Sequence, residues 1–209
     1  MGIKSSGFLS PSGPVWPNAD RIDEADLALR FIAGDTGATE VVFYAYFDRL
    51  FTLIYHSVGK DRAAAEDIIQ ETFLSALKSA KNFQARSKLY TWLVSIAHHK
   101  IVDYYRHQEV ERKHFNHFSN DPPGEKPEIV DESLSVSDMV EHAESNDVIE
   151  KALMSLPVDY RQVLLLKYVE DMPVAEICQV MKRSPKSVEG LLTRSRKALR
   201  GNITALREG

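Results

Sequence analysis

Apolar residues recur at steps of three and four along the N-terminal half of the chain. Phe43, Phe47, Leu50/Phe51 and Ile54 form the first series, the repeat expected of a helix with one buried stripe. Gly59-Lys60-Asp61 interrupts it. A second helix is predicted from about Ala63 to Ala80, with Ile69, Phe73, Ala76 and Leu77 on its buried face. Asp67 and Glu71 lie one turn apart on a different, exposed face of the same helix. The polar segment 82–87 reads as a loop. Leu89, Trp92/Leu93, Ile96, Ile101 and Tyr104/Tyr105 then mark a third helix. No stretch alternates long enough to argue for a strand.

The pattern lapses in residues 113–147, where Asp121-Pro-Pro-Gly and Lys126-Pro127 sit among scattered acids. Such a composition buries too little apolar surface to offset its ordering entropy, so it reads as a linker. Helical period resumes with Val148, Ala152/Leu153 and Leu156, and Pro157 breaks it. Residues 160–168 carry the apolar run Val163-Leu-Leu-Leu, and further helices are predicted over about 174–181 and 185–206. Residues 1–24 are rich in Ser, Gly and Pro and read as a flexible arm. The predicted fold is all-α: two helical domains, residues 25–112 and 148–206, joined by an acidic flexible linker.

Composition narrows the class. Of 209 residues, 44% are hydrophobic and 27% charged, which suits a globular protein. One cysteine cannot close an internal disulfide, and the longest apolar run, residues 41–47, is far short of the ~20 residues that span a bilayer. No secretory signal pattern is present at the N-terminus. Gly2 and Ser6 fit a myristoylation pattern, but so short a match is outweighed by chance. These features point to a soluble cytoplasmic protein rather than a secreted disulfide scaffold, a membrane span or a collagen-like chain. The net charge of −4 is unevenly spread: residues 113–147 carry −7, whereas residues 148–209 carry +4. Segregation of this kind sets a basic C-terminal block apart from an acidic connector.

The last two predicted helices have helix-turn-helix spacing. Ile177 and Met181 are one turn apart on the first, Lys182-Arg183 makes the turn, and Ser184-Pro185 supplies an N-cap and a first-turn proline. Val188, Leu192, Ser195 and Leu199 mark the buried stripe of the second. Its opposite face carries Lys186, Ser187, Gly190, Thr193, Arg194 and Lys197. Short polar groups among cations can read base edges in a major groove and meet phosphates. A basic-faced hairpin in an ordinary bundle has the same pattern, so this half alone leaves both readings open.

Three further stretches bear on the choice. Glu66-Asp67-Ile68-Ile69-Gln70-Glu71-Thr72-Phe73 and Leu89-Tyr90-Thr91-Trp92-Leu93-Val94-Ser95-Ile96-Ala97 resemble the second conserved domain of extracytoplasmic-function (ECF, group 4) RNA polymerase sigma factors. Leu156-Pro157-Val158-Asp159-Tyr160-Arg161-Gln162-Val163-Leu164-Leu165-Leu166, with the helix-turn-helix, resembles their fourth domain.

The resemblance implies roles residue by residue. Glu66, Asp67, Gln70 and Glu71, with Leu74 nearby, would dock on a coiled coil of core RNA polymerase. The loop before the Trp92 helix would accept a flipped base of the minus-10 element. Phe83 would stack on that base, Arg86 and Lys88 would hold phosphates, and His99, Lys100, Asp103, Tyr104 and Arg106 would flank the same strand. Many relatives have Asn where this chain has His99, which leaves the accepted base open. Trp92 sits in the apolar stripe and suits core packing better than a melting wedge. On the recognition helix, Lys186, Ser187, Gly190, Thr193 and Arg194 would read the minus-35 element, and Arg196, Lys197 and Arg200 would touch phosphate. Glu189 is acidic where many relatives are basic, and could accept from cytosine N4 or simply face solvent. Lys182 replaces a frequent turn glycine, at a cost of roughly 1 kcal/mol if the residue is left-handed. The acidic linker would run toward the polymerase cleft or act as a solvated spacer. An anti-sigma partner is also implied.

His98, His99, His107, His114 and His117 include one helical His-x-x-His pair but no joining cysteine, so a metal site is not expected. Cys178 reads as a small packing residue rather than a redox sensor. No catalytic triad, phosphate loop or cofactor motif is present, so neither an enzyme nor a cofactor is expected. The competing reading is a stand-alone helix-turn-helix regulator with an N-terminal effector or dimerisation domain.

Overall fold

The computed structural model describes residues 23–115 and 146–208. The predicted arm and most of the acidic linker lie outside them, as does His117. Among the described residues the secondary structure is helical.

The N-terminal body consists of α1 (Glu24–Ile32), α2 (Thr36–Ser57), α3 (Arg62–Ser79) and α4 (Leu89–Phe115). An aspartate opens each of the first three. Asp23 accepts from the Ala25 N–H at 3.1 Å, Asp35 from Ala38 at 2.8 Å and Asp61 from Ala64 at 3.1 Å. These carboxylates satisfy N–H groups that have no partner within the helix. The Ala38 bond and the neighbouring Arg30 guanidinium hold the Asp35 carboxyl below the usual aspartate range. The start of α4 is capped from a distance, where the Leu89 N–H donates to Glu24 Oε1 at 2.8 Å and so ties α4 to α1. Gly59 and Lys60, with φ of 72° and 64°, turn the chain between α2 and α3.

Val42, Leu50, Leu53 and Ile54 of α2 meet Ile69 and Ala76 of α3 and Leu89, Leu93 and Ile101 of α4 in the core. Two expectations need correcting here. Phe43 is 37% exposed and Leu77 46% exposed. The α2 phenylalanines instead line the edge of the core, Phe43 lying 4.8 Å and Phe47 6.3 Å from the Phe73 ring. Helix α4 also continues three residues past the predicted domain end.

The C-terminal body consists of α5 (Asn146–Met154), α6 (Val158–Leu164), α7 (Val174–Met181) and α8 (Pro185–Glu208). Helix α6 widens into a π turn over Leu165–Val169, where the Glu170 N–H reaches the Leu165 carbonyl at 3.0 Å. Asp171 then takes a left-handed φ of 50°. Val188, Leu192, Ser195 and Leu199 form the buried stripe of α8, as their spacing predicts.

The sequence suggests two domains hung on a flexible tether, but the structure packs them together, with α4 against α7 and α6. Arg161 is central to this contact. Its Nη1 donates to the Ser57 carbonyl at 2.8 Å and to Tyr105 Oη at 2.7 Å. Its Nη2 donates to the carbonyls of Met154 and Leu156 at 3.4 and 3.2 Å. Nearby, a Cβ on Gly59 would fall 2.6 Å from Met154 Cε, and Lys60 pairs with Glu150. His98 Nδ1 lies 3.5 Å from Gln162 Oε1.

Two expectations follow. Replacing Arg161 with Met orphans buried carbonyls and is expected to lower unfolding free energy by about 3 kcal/mol in urea titration. Burial pushes the His98 imidazole down, and it faces Gln162, His99, Asp159 and Arg183. A histidine depressed in the folded state binds its proton more readily when unfolded. Its contribution is therefore present above the unfolded value of about 6.5 and lost as pH falls below it. Unfolding curves at successive pH values should show this loss, and His98→Asn should flatten it.

Candidate nucleic-acid interface

On α3, Glu66, Asp67, Gln70, Glu71 and Leu74 are all exposed, Leu74 by 54%. Asp67, Gln70, Glu71 and Leu74 follow steps of three and four and therefore share one strip. The inner side of the helix holds Ala65, Ile68, Ile69, Thr72 and Ala76, which fixes the direction of that strip. Glu66 pairs with Arg62 at 2.7 Å, and Glu71 accepts from Lys100 Nζ at 2.9 Å. Exposed Leu77 lies on the same helix, and exposed Phe43 and Tyr44 lie on α2, which packs against it, so the acidic strip is accompanied by apolar surface. Periodicity assigned Phe43 and Leu77 to the core, so the sequence reading missed them as surface groups.

The segment before α4 is divided. Arg86 and Lys88 are exposed, and Ala85 between Phe83 and Arg86 has a φ of 50°. Phe83 differs from the expectation. The 3₁₀ turn Ala80–Asn82 and a bond from the Phe83 N–H to the Ala80 carbonyl turn its ring inward. It lies 4.9 Å from the Trp92 ring and is only 6% exposed, so it offers no face to a base. Trp92 packs edge-on to Phe31 as well, at 6.2 Å, consistent with a core role.

Along α4, His99 and Arg106 are exposed while Lys100, Asp103 and Tyr104 are half-buried. Asp103 pairs with Arg106 at 2.8 Å, and His99 Nδ1 lies 2.5 Å from the Ser95 carbonyl. Burial and the nearby Asp61 carboxylate push the Tyr104 phenol up. His99, Lys100, Asp103 and Arg106 thus lie along one flank of a single helix.

The turn between α7 and α8 adopts the costly geometry. Lys182 is left-handed, with φ 52° and ψ 46°. Arg183 pairs with Asp159 of α6 and so ties the turn to the body. Ser184 Oγ accepts from the Ser187 N–H at 3.3 Å, capping α8 as predicted. Lys186, Glu189, Thr193, Arg194 and Lys197 are exposed, and Ser187, Gly190, Arg196 and Arg200 partly so. Thr193 Oγ1 donates to the Glu189 carbonyl at 3.0 Å and receives Arg196 Nη2 at 3.4 Å. A Cβ on Gly190 would meet only the Arg194 guanidinium, at an ordinary 3.5 Å. Among the described residues nothing therefore demands glycine there, and its effect is to leave backbone accessible on the outward face. Burial and the nearby Glu189 push the Cys178 thiol up, away from thiolate character.

Sequence reasoning also missed Arg49, Glu170 and Glu176, which join the two bodies. Arg49 Nε meets Glu170 Oε2 at 2.7 Å, and Lys88 Nζ meets Glu176 Oε1 at 2.8 Å. Their separation in the chain leaves no local signal of the pairing. Among the described residues, no helix is long and apolar enough to cross a membrane.

Comparison with known proteins is consistent with this geometry. The Sigma-70 region 2 family model matches residues 43–110, and the Sigma-70, region 4 model matches residues 146–199. A Haemophilus influenzae protein named as a probable RNA polymerase sigma factor is 30% identical over 149 residues, spanning 67% of this chain and 77% of its own. The ECF RNA polymerase sigma factor SigX of Bacillus subtilis is 28% identical over 170 residues, 81% of this chain and 85% of its own. Among solved structures, CnrH in complex with the cytosolic domain of CnrY aligns with a TM-score of 0.61 at 22% identity, covering 87% of this chain and 97% of that one. The sigma factor RpoE in complex with the anti-sigma factor NepR, from Bartonella quintana, aligns with a TM-score of 0.59 at 16% identity, covering 79% and 96%. At these identities the structural likeness concerns the fold. With both regions matched in order and a relative covered over three-quarters of its length, the chain belongs to the sigma-70 family of RNA polymerase sigma factors, in its ECF group.

Proposed function

We infer that the protein is an alternative sigma factor that binds core RNA polymerase and directs it to a specific set of promoters. The observation that carries this reading is one chain holding both matched regions, with α8 presenting its polar, cationic side outward over a buried apolar stripe. The protein supplies specificity and leaves catalysis to the polymerase. Such work places it in the cytoplasm with its DNA.

The strip Asp67, Gln70, Glu71 and Leu74, with Glu66 beside it, is the core-binding surface in this reading. Carboxylates set among exposed apolar side chains suit a basic partner, because charge sets the register and apolar contact adds affinity. Arg86, Lys88, His99, Lys100, Asp103, Tyr104 and Arg106 serve the opened minus-10 strand. Phe83 is left to packing, because its ring is buried. Lys186, Ser187, Glu189, Gly190, Thr193 and Arg194 face the minus-35 bases, and Arg196, Lys197 and Arg200 its phosphates. The RpoE neighbour is held by an anti-sigma factor, and control of the same kind is proposed here, by a partner covering the α3 strip.

Transcription by bacterial core polymerase on pooled genomic fragments, with RNA 5′ ends mapped, tests the reading directly. Discrete new starts sharing an upstream sequence are expected, and no new starts without core binding would refute it. Reversing Asp67 and Glu71 to Arg is expected to weaken core binding at least ~100-fold, a loss on the scale of interface hot spots. The circular dichroism of that variant should match the parent, because both side chains point to solvent. Arg194→Ala should lower initiation about 10-fold on promoters with an intact minus-35 element, the scale of one base contact. The same variant should leave scrambled-element templates unchanged.

A further inference from the structure

His98 lies in the seam between the two bodies, on α4 and only 8% exposed. Its Nδ1 meets Gln162 Oε1 of α6 at 3.5 Å, the outer limit of a hydrogen bond. Gln162 is itself 1% exposed, and its Nε2 has no partner among the described residues. The titratable and charged groups around the ring come from three places. His99 is on α4, its ring centroid 5.9 Å away, Asp159 is on α6, and Arg183 is in the turn between α7 and α8. The carboxylate of this set is already engaged, because Arg183 Nη2 donates to Asp159 Oδ2.

Such surroundings accept a neutral imidazole and reject an imidazolium. A buried cation needs a free anion or several acceptors to replace its water. The seam gives His98 one long amide contact and sets a guanidinium and a second imidazole nearby. Burial accordingly pushes the His98 imidazole down, by more than Gln162 and Asp159 raise it. The ion pairs across the seam, Arg49–Glu170, Lys60–Glu150 and Lys88–Glu176, join cations to carboxylates. Groups of those types ordinarily keep their charge between about pH 5 and 8, the range in which imidazoles change theirs. Parting of the bodies is also the mildest way for the ring to reach water. Helices within each body hold through buried apolar side chains, such as Leu50, Ile69 and Leu93 in one and Val188, Leu192 and Leu199 in the other.

We propose that His98 is a proton-operated latch: while its ring is neutral the two bodies close, and when it takes a proton they part with each still folded. Opening lets α8 move independently of α4, the helices that carry the exposed Arg194 and Arg106. The ligand is the proton alone, so the latch operates whether or not the chain binds polymerase.

The test uses the free full-length chain, with dyes at Lys81→Cys and Thr204→Cys, both exposed, and with Cys178→Ser. Energy transfer reports the separation of the bodies and far-ultraviolet circular dichroism their helices. Ionic strength is held fixed, because salt also weakens the ion pairs of the seam. As pH falls from about 8 to about 5.5, transfer should drop while the dichroism stays constant. Below about pH 6.5 the ratio of closed to open chains should fall by up to about 10-fold per pH unit, the limit for one proton. His98→Asn should make transfer independent of pH over this range, at whatever level its own packing sets. Gln162→Glu should reverse the sign, because a carboxylate beside the ring favours its charged form. Transfer in that variant should be higher at about pH 6 than at about pH 8. Constant transfer in the parent overturns the proposal, as does an acid-induced drop that persists in His98→Asn or is unaltered in Gln162→Glu. A drop matched by loss of dichroism overturns it too, because the bodies would then be unfolding rather than parting.

Discussion

The carbonyls that end α2 and α5, one helix from each body, point at the same buried guanidinium. Ser57 and Met154 are the last residues of those helices, and their oxygens, with that of Leu156, lack helical partners. The negative end of a helix dipole and an unpaired carbonyl both favour a cation, and Arg161 serves the two helices together. No carboxylate is needed, because several partial charges and the Tyr105 hydroxyl replace the water that the guanidinium gives up. The consequence extends beyond the local bonds. Arg161 is on α6, so the orientation of α6, and through the π turn the placement of α7 and α8, depends on where α2 stops.

Each proposed functional surface is the outer side of a helix whose inner side is core. Helix α3 buries Ile68, Ile69 and Thr72 and presents Asp67, Gln70 and Glu71 outward. Helix α8 buries Val188, Leu192 and Ser195 and presents Lys186, Thr193 and Arg194 outward. Packing of the inner residues therefore fixes the rotation of the outer ones, and recognition can be altered with little effect on the core. The closed contact between the bodies is of another kind. Besides the buried Arg161, it uses ion pairs whose cations Arg49, Lys60 and Lys88 face solvent, and such pairs are weak and sensitive to salt.

Helical periodicity carries local information well. Val188, Leu192, Ser195 and Leu199 are all buried, Ser184 caps α8, and Lys182 takes the left-handed turn that its position implied. Periodicity does not say how wide a buried stripe is. Phe43 and Leu77 fall in phase with core residues yet lie at its margin, where a helix surface turns toward solvent. Phe83 shows the opposite limit: its segment looks like an exposed loop, but the ring finds Trp92, itself packed on Phe31, and turns inward. Contacts between distant segments left the least trace. Arg49 and Glu170 are 121 residues apart, and each alone resembles an ordinary surface charge. The acidic excess is concentrated in residues 113–147, while among the described residues Glu150, Glu170 and Glu176, beyond it, pair with the N-terminal body.

The π turn at Leu165–Val169 has a consequence for the phase of everything after it. A π turn accommodates one residue more than an α turn, and one residue corresponds to about 100° of rotation around the helix axis. Glu170 leaves this widened turn facing Arg49 and Tyr90, and Asp171 then reverses the chain toward α7. Removing one residue from the turn would restore regular α geometry and improve local hydrogen bonding. It would also swing Glu170 out of phase and redirect α7 and α8 with it. In this segment the less regular backbone sets the direction of the DNA-facing helix, and a locally better helix would point it elsewhere.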